Sequence, residues 1–381
     1  MPDTRPASGT VHWIGTGLST GSGLRLLCER AARVTVYGRT REKAERLLNR
    51  LSLTGRAQAA SFDPETLRAA VAPGDVVVSM LPATEHLGLL RICLPAGAHF
   101  ACSSYVSEEI AAAATEAAAR GLVVLTEAGL DPGIDHLMAH RLVARAREQV
   151  GEQATDVRFT SYCGGLPAVP NEFRYQFSWA PRGVLGALRS PARYLDAGTE
   201  QTAERPWQAT RPHPVGGETF EVYPNRDSLP FVDQYGIPDG WQLRTFVRGT
   251  LRLDGWQAAW QPVFDVLETG DTERINALAD DLAGRYPTGA GDRDRVVLSV
   301  ALSARGADGR SWAGEYLLDL VGDAEQTAMA RTVSVPLAYG VGRILDGATR
   351  PGLHRATDDP AEAARWLAYL ERHGIPCRLR P

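Results

Sequence analysis

Val11-His12-Trp13-Ile14, succeeded at once by Gly15-Thr16-Gly17-Leu18-Ser19-Thr20-Gly21, decides the fold. The first four residues predict a short strand. The glycines directly behind it predict a turn tight enough for the backbone to approach a pyrophosphate at the N-terminus of a following helix. The spacing is GxGxxxG, a variant of the usual dinucleotide string, and alone it also fits an ordinary glycine turn. The pattern of the next hundred or so residues separates the two readings. Further apolar runs occur at Arg33–Tyr37, Ala57–Phe62, Asp75–Met80, Ala98–Cys102 and Leu122–Leu125. Helical patterns near Gly23–Glu29, Arg41–Leu51, Pro64–Val71, His86–Leu94 and Ser107–Arg120 alternate with them. Strands and helices in that alternation predict a doubly wound parallel sheet, a Rossmann domain with helices on both faces.

Such a domain implies a nicotinamide-dependent oxidoreductase, and the end of the second strand bears on which cofactor. Tyr37-Gly38-Arg39-Thr40-Arg41 contains no acid to bind a ribose 2′-hydroxyl, while its arginines suit a 2′-phosphate. NADP(H) is therefore favoured; NAD(H) remains the alternative if those arginines are merely solvated. The expected cofactor set is Gly15, Gly17, Leu18, Ser19, Arg39, Thr40, Asp63, Leu81, Pro82, Ser104 and Leu130.

After Pro132 the pattern changes. A helix is expected at Ile134–Arg147, then alternating segments at Asp156–Cys163, Gln242–Leu253, Arg295–Arg305 and Trp312–Val321. The last two flank Gly306-Ala-Asp-Gly309 and read as a β-hairpin. Pro181–Gly217, rich in Pro, Gly and Arg, reads as loop, and Ala328–Leu345 and Ala361–His373 as helices. The fold class is thus α/β, a Rossmann sheet with a second α+β domain on a mainly antiparallel sheet. The expected division is 1–131 for cofactor and 132–327 for substrate, with the helices of 328–381 packing back on the Rossmann domain.

Composition excludes several classes of partner. The 381 residues are 44 % apolar and 23 % charged, with a net charge of −4, so no basic face for nucleic acid is expected. No run approaches the ~20 apolar residues of a membrane span. Five cysteines without a CxxC pair point to free thiols in a reducing compartment, and the opening residues show no secretory apolar stretch. A cytoplasmic location and a homodimer are expected. Lys43, the only lysine, lies on a polar helix of the cofactor domain, which leaves Schiff-base catalysis without a candidate elsewhere. His136 and His140 stand four apart, as two ligands on one helix face would, but further zinc ligands are wanting. No metal is expected.

From Asp75 onward the residues become more specific. Asp75-Val-Val-Val-Ser-Met-Leu-Pro82, Ser104-Tyr-Val-Ser107 and Glu127-Ala-Gly-Leu-Asp-Pro-Gly-Ile-Asp-His136 resemble the saccharopine reductase family, also called glutamate-forming saccharopine dehydrogenase. The match continues through Ser161–Pro167, Phe177-Ser-Trp-Ala-Pro-Arg-Gly183, Pro224-Asn-Arg-Asp-Ser228 and Arg248-Gly-Thr-Leu-Arg252, covering most of the chain in order. Gln176 and Ala98 depart from it, standing where lysines are expected, and the stretch from Arg252 to Arg295 is shorter than in the longer fungal enzymes.

The resemblance implies oxidation of a secondary amine joining glutamate to an aldehyde-derived carbon, or the reverse condensation. It maps the active-site tyrosine, aspartate and cysteine onto Tyr105, Asp131 and Cys163. Their placement agrees, because Tyr105 and Asp131 come after predicted strands five and six, and ligands of open α/β sheets bind beyond the carboxyl ends of strands. Imine chemistry also needs a proton donor or acceptor near nitrogen. Each residue has a plainer reading: Asp131 as a helix cap, Cys163 as core, Tyr105 as packing against nicotinamide.

Saccharopine carries three carboxylates, and arginine forks suit them. In Arg244-Thr-Phe-Val-Arg248-Gly-Thr250-Leu-Arg252, period two puts Arg244, Phe246, Arg248, Thr250 and Arg252 on one face. The family match selects Arg226, Arg248 and Arg252 as carboxylate ligands, with Ser104, Tyr105, Asp131 and Thr250; for Arg244 a solvated position is an equal reading. Two alternatives remain. One is a related dehydrogenase for another secondary amine or amino acid, of carboxyspermidine or lysine type; the other is a non-catalytic NADP(H)-binding regulator.

Overall fold

A computed structural model describes residues 2–177, 181–286 and 292–381. β1 (Thr10–Ile14), β2 (Arg33–Gly38), β3 (Gln58–Ser61), β4 (Val76–Ser79), β5 (His99–Cys102) and β6 (Val123–Thr126) come first. Between them run α1 (Ser22–Arg30), α2 (Arg41–Arg50), α3 (Pro64–Ala70), α4 (His86–Ala96) and α5 (Glu108–Ala119). Next are α6 (Ile134–Val150), β7 (Ala154–Pro167), α7 (Pro181–Arg189), β8 (Ala192–Asp196), β9 (Thr199–Ala203), β10 (Arg211–Val215) and β11 (Glu218–Pro224). α8 (Pro230–Gln234), β12 (Trp241–Leu253), α9 (Trp256–Ala259), α10 (Gln261–Glu268) and α11 (Thr272–Arg285) lead to β13 (Asp294–Gly306) and β14 (Ser311–Val321). The last elements are α12 (Ala328–Leu345), β15 (Gly352–Arg355), α13 (Pro360–Arg372) and β16 (Arg378–Arg380).

The chain forms two compact units. One gathers the residues up to Leu137 with Ala330–Asp358 and Arg365–His373. The other gathers Met138–Met329, Asp359–Ala364 and Gly374–Pro381.

The first unit holds a parallel sheet of order β15-β6-β5-β4-β1-β2-β3. Its central strands are covered on both sides, which is why Val76-Val-Val-Ser79 is buried throughout instead of alternating. The order reverses between β1 and β4, the switch point where such sheets open a crevice for ligands. One strand is additional to the six expected. Gly352-Leu-His-Arg355 pairs parallel with β6, its first amide donating to Leu122 O at 2.8 Å. In the same unit the Gly23 amide of α1 donates to Ser334 Oγ on α12 at 3.1 Å.

The second unit is built on a nine-stranded sheet, with β10-β11-β12-β7-β13-β14-β16 in order and β8–β9 attached through β12. Its pairs are antiparallel except β12 with β7. The expected hairpin is β13–β14, closed by Gly306 N–H to Arg310 O at 2.8 Å. The reading of Pro181–Gly217 as loop is corrected. Helix α7 forms there because Val184, Leu185 and Leu188 share a buried face, and β8 and β9 turn at Ala197-Gly198, both at positive φ. Phe173, Tyr175, Tyr223, Trp256 and Trp260 pack in one buried, aromatic-rich cluster. Tyr162, Val247, Leu251, Leu253 and Val297 cluster separately. Among the described residues no helix is long and apolar enough to cross a membrane.

Candidate active site

The glycine turn after β1 opens into a cleft of about 850 Å³ in the first unit. Gly15 is held there by its own amide on Tyr37 O at 2.9 Å, with φ +121°, and an added Cβ would lie 2.9 Å from Met80 Cβ. Only glycine fits. The N-cap residue Gly21 offers no side chain to cap α1, and the Gly23 amide in its first turn is taken by Ser334 Oγ at 3.1 Å.

Of the expected cofactor residues, Gly15, Gly17, Arg39, Leu81 and Pro82 line this cleft. Leu18 and Ser19 lie in the turn itself, Leu18 being 53 % exposed. Thr40 caps α2, its hydroxyl accepting from the Lys43 amide. Asp63 caps α3, and the Thr66 amide and hydroxyl hold its carboxyl below the usual range. Leu130 is buried.

The cleft also contains cations that the motif reading missed. Lys43, Arg46 and Arg50 stand at i, i+3 and i+7 along α2, so they share the face that joins Arg39 on the wall. Among the described residues no carboxylate forms a close ion pair with any of these four, although the charge of Arg46 acts on Glu42, whereas Arg41 is held by Glu45 at 2.9 Å. The spacing was visible in the sequence. Tyr37 and Phe62 complete an apolar wall. Tyr37 is steadied by His12 Nδ1 at 3.0 Å, and His12 Nε2 in turn lies 2.9 Å from Asp75.

At the carboxyl edge of the same sheet, Tyr105 Oη donates to Asp131 Oδ1 at 2.7 Å. The two residues come from the loops after β5 and β6, and both are partly open to solvent. Ser104, one residue earlier, bonds through its hydroxyl to His86 Nε2 at 2.8 Å; His86 Nδ1 meets Ser79 Oγ at 2.9 Å. Burial pulls the His86 imidazole down to about 4, so it bridges the two serines as a neutral group. His86 opens α4, where the sequence pattern marks only a helix start. His136, weighed as a metal ligand, lies instead between Glu127 and Asp135. His140 rests edge-on against the Tyr235 ring, centroids 5.7 Å apart.

In the second unit, Cys163 on β7 stands opposite Thr250 on β12. Arg248 and Arg252 alternate with Thr250 along β12, and both are buried, at 4 % and 6 % exposure. Arg248 lies 3.8 Å from the centre of the Phe231 ring. Arg252 sits among Tyr175, Tyr223 and Trp256, donating to Tyr223 Oη at 3.1 Å. Its Nε has no hydrogen-bond partner among the described residues. Gly249 between them permits close packing, since a Cβ there would collide with Tyr223 O. Arg226 is exposed at φ +58°, in a loop tied to β12 by Ser228 Oγ accepting the Arg248 amide at 2.9 Å. Arg244 is exposed, and Trp256 and Trp260 are core. Residues 178–180 of the Phe177–Gly183 motif lie outside the described residues.

Switch-point crevice, glycine turn and basic wall together define a Rossmann-type dinucleotide-binding protein. Family models agree in detail: "Saccharopine dehydrogenase NADP binding domain" matches residues 11–125, and "Saccharopine dehydrogenase C-terminal domain" matches residues 129–375. The chain belongs to the saccharopine dehydrogenase family. It is 35 % identical over 274 residues to a saccharopine dehydrogenase [NADP(+), L-glutamate-forming] of Pyricularia oryzae, covering 70 % of this chain and 60 % of that one. A Schizosaccharomyces pombe protein of the same name is 34 % identical over 254 residues, covering 65 % of this chain and 55 % of that one. The chain thus spans three fifths or less of these relatives' own length. The apo saccharopine dehydrogenase (L-Glu forming) structure of Saccharomyces cerevisiae superposes with a TM-score of 0.82 at 27 % identity, over 97 % of this chain and 99 % of that one.

Proposed function

We propose that the chain is an NADP(H)-dependent oxidoreductase that interconverts saccharopine with glutamate and 2-aminoadipate 6-semialdehyde through an imine. The names of its relatives support this reading. The observation that carries it in this chain is the Tyr105–Asp131 hydrogen bond of 2.7 Å beyond β5 and β6. Residues 1–131 are assigned to the cofactor and 132–327 to the substrate.

The turn at Gly15 and Gly17 with the N-terminus of α1 would hold the pyrophosphate, and Arg39, Lys43, Arg46 and Arg50 the 2′-phosphate. When bound, the nicotinamide supplies the hydride acceptor or donor. The protein manages protons. A secondary amine releases hydride from carbon only with its nitrogen lone pair free, so its ammonium must first lose a proton. A phenol already bonded to a carboxylate can accept that proton on oxygen while passing its own to Asp131 Oδ1. Water then adds to the imine carbon. Collapse to the aldehyde needs a proton on the departing glutamate nitrogen, and the same pair can return it. Arg226, Arg248 and Arg252 are assigned to the substrate carboxylates, with Thr250 and Cys163 beside them; the free Nε of Arg252 supports this. Five cysteines without a CxxC pair support a reducing cytoplasm, and a homodimer belongs to the same proposal, open to check by sedimentation.

Asp131→Asn and Tyr105→Phe test the pair. Each is expected to lower kcat for saccharopine oxidation by ~100-fold or more, with NADP⁺ affinity nearly unchanged. Unchanged turnover in both would remove the pair from the chemistry.

A further inference from the structure

Behind Tyr105 and Asp131 lies a second set of ionisable groups, buried far more deeply. Glu127 directly succeeds β6 and is 2 % exposed; its Oε1 accepts the amide of Val106, the residue after Tyr105, at 3.1 Å. Asp135 is fully buried, and its Oδ1 accepts the amide of Gly133, two residues after Asp131, at 2.6 Å. His136, also fully buried, stands between them. Its Nε2 lies 2.9 Å from Glu127 Oε2 and its Nδ1 3.3 Å from Asp135 Oδ2. Among the described residues no three such side chains are placed to hold a metal ion.

Arg355 Nε comes within 3.8 Å of Glu127 Oε1, yet two carboxylates and an imidazole shut off from solvent are still a costly way to fill space, and apolar side chains would pack there at less cost. What they hold is specific. One carboxylate grips the backbone beside Tyr105, the other grips the backbone beside Asp131, and the imidazole links the two carboxylates. We propose that Glu127, His136 and Asp135 form a positioning triad. It fixes the loop after β5 against the loop after β6, so that phenol and carboxylate already meet before substrate arrives. The inference rests on reading Tyr105 and Asp131 as the proton-transfer pair. None of the three triad residues reacts; they act through the pair, and alignment in advance is where their cost is recovered.

His136→Asn and His136→Gln separate the two links. Asn keeps a polar atom near Nδ1, facing Asp135, whereas Gln keeps one near Nε2, facing Glu127. If the bridge matters, neither end alone suffices. Both variants are expected to lower kcat by ~10- to 100-fold, with KM for saccharopine and the dissociation constant of NADP⁺ nearly unchanged. Combined with Asp131→Asn, either should add little further loss, since both act on one element. A merely structural role would instead weaken cofactor binding and KM together, and would add fully to Asp131→Asn. Should both His136 variants fail to fold, Glu127→Gln keeps an acceptor for the Val106 amide and is expected to lose ~10-fold in kcat alone. Parental kcat in either folded His136 variant, with Tyr105→Phe and Asp131→Asn both slowed, would overturn the triad. Parental rates in Tyr105→Phe and Asp131→Asn as well would overturn the pair, and the triad with it.

Discussion

Arg46 and Arg252 carry the same charge in opposite surroundings. Arg46 stands exposed on α2 with Lys43 and Arg50, along an open cleft, and among the described residues no carboxylate forms a close ion pair with it, though its charge acts on Glu42 one turn away. Arg252 is 6 % exposed, enclosed by Tyr175, Tyr223 and Trp256. A solvated cation attracts an anion from a distance but is screened by salt and holds no fixed geometry. A guanidinium stacked on rings has given up water in advance, so a carboxylate reaching it meets aligned donors in a low dielectric. Under the proposed function the difference suits two jobs, steering of a phosphate in one region and orientation of a reacting substrate in the other.

The buried arginines should show the larger effect. Arg248→Ala or Arg252→Ala is expected to raise KM for saccharopine by ~10- to 150-fold, the value of a lost charge-assisted hydrogen bond. NADPH affinity should barely move; Arg226→Ala, at an exposed position, should show the smallest rise of the three. Steady-state kinetics with separate cofactor titration reads this, and equal loss of cofactor binding would break the contrast.

A buried imidazole sharpens the comparison because it can shed its charge where a guanidinium cannot. Burial holds His86 at about 4 in the folded chain, below its ordinary ~6.5. Between those values the unfolded chain binds the extra proton. The stabilisation from neutral His86 is therefore complete above ~6.5 and is lost as pH falls toward 4. From pH 7 to pH 5, the parent should lose roughly 1–2 kcal/mol more unfolding free energy in urea than His86→Gln. Parallel curves would mean that His86 is not held neutral.

The open cations should show the smallest effects. Lys43→Ala, Arg46→Ala and Arg50→Ala should each weaken NADP⁺ by roughly two- to tenfold, with NAD⁺ almost unaffected and the difference shrinking as salt rises. Calorimetric titration with both cofactors at two ionic strengths checks it. Equal losses for the two cofactors would move the 2′-phosphate elsewhere.

The same contrast explains what the sequence could reveal. Val76-Val-Val-Ser79 and Val123-Val-Leu-Thr126 read as buried strands because a sheet covered on both sides needs unbroken apolar runs. β15 escaped that reading: four residues, Gly352-Leu-His-Arg355, are too few to show a period, and the strand exists only through its pairing with β6. Pro181–Gly217 read as loop because Pro and Gly outweigh a local pattern, yet Val184, Leu185 and Leu188 find a buried face. On β12, alternation separated Val247, Leu251 and Leu253 from the arginines. It could not distinguish exposed Arg244 from buried Arg248, since burial depends on Phe231, seventeen residues away in sequence. Lys43, Arg46 and Arg50 were legible by spacing, but only the cleft gives that spacing a meaning. His86 carries no local signal at all, because its partners, Ser79 and Ser104, lie at the ends of two neighbouring strands.

The most direct measurement is product identification from saccharopine and NADP⁺ with the purified chain. Oxidation at one side of the secondary nitrogen gives glutamate and a semialdehyde; oxidation at the other side gives lysine and 2-oxoglutarate. Glutamate formed mole for mole with NADPH, and formed ~100-fold or more slowly by Asp131→Asn, is the expected result. Lysine and 2-oxoglutarate as products, or cofactor binding with no turnover of saccharopine, would contradict it.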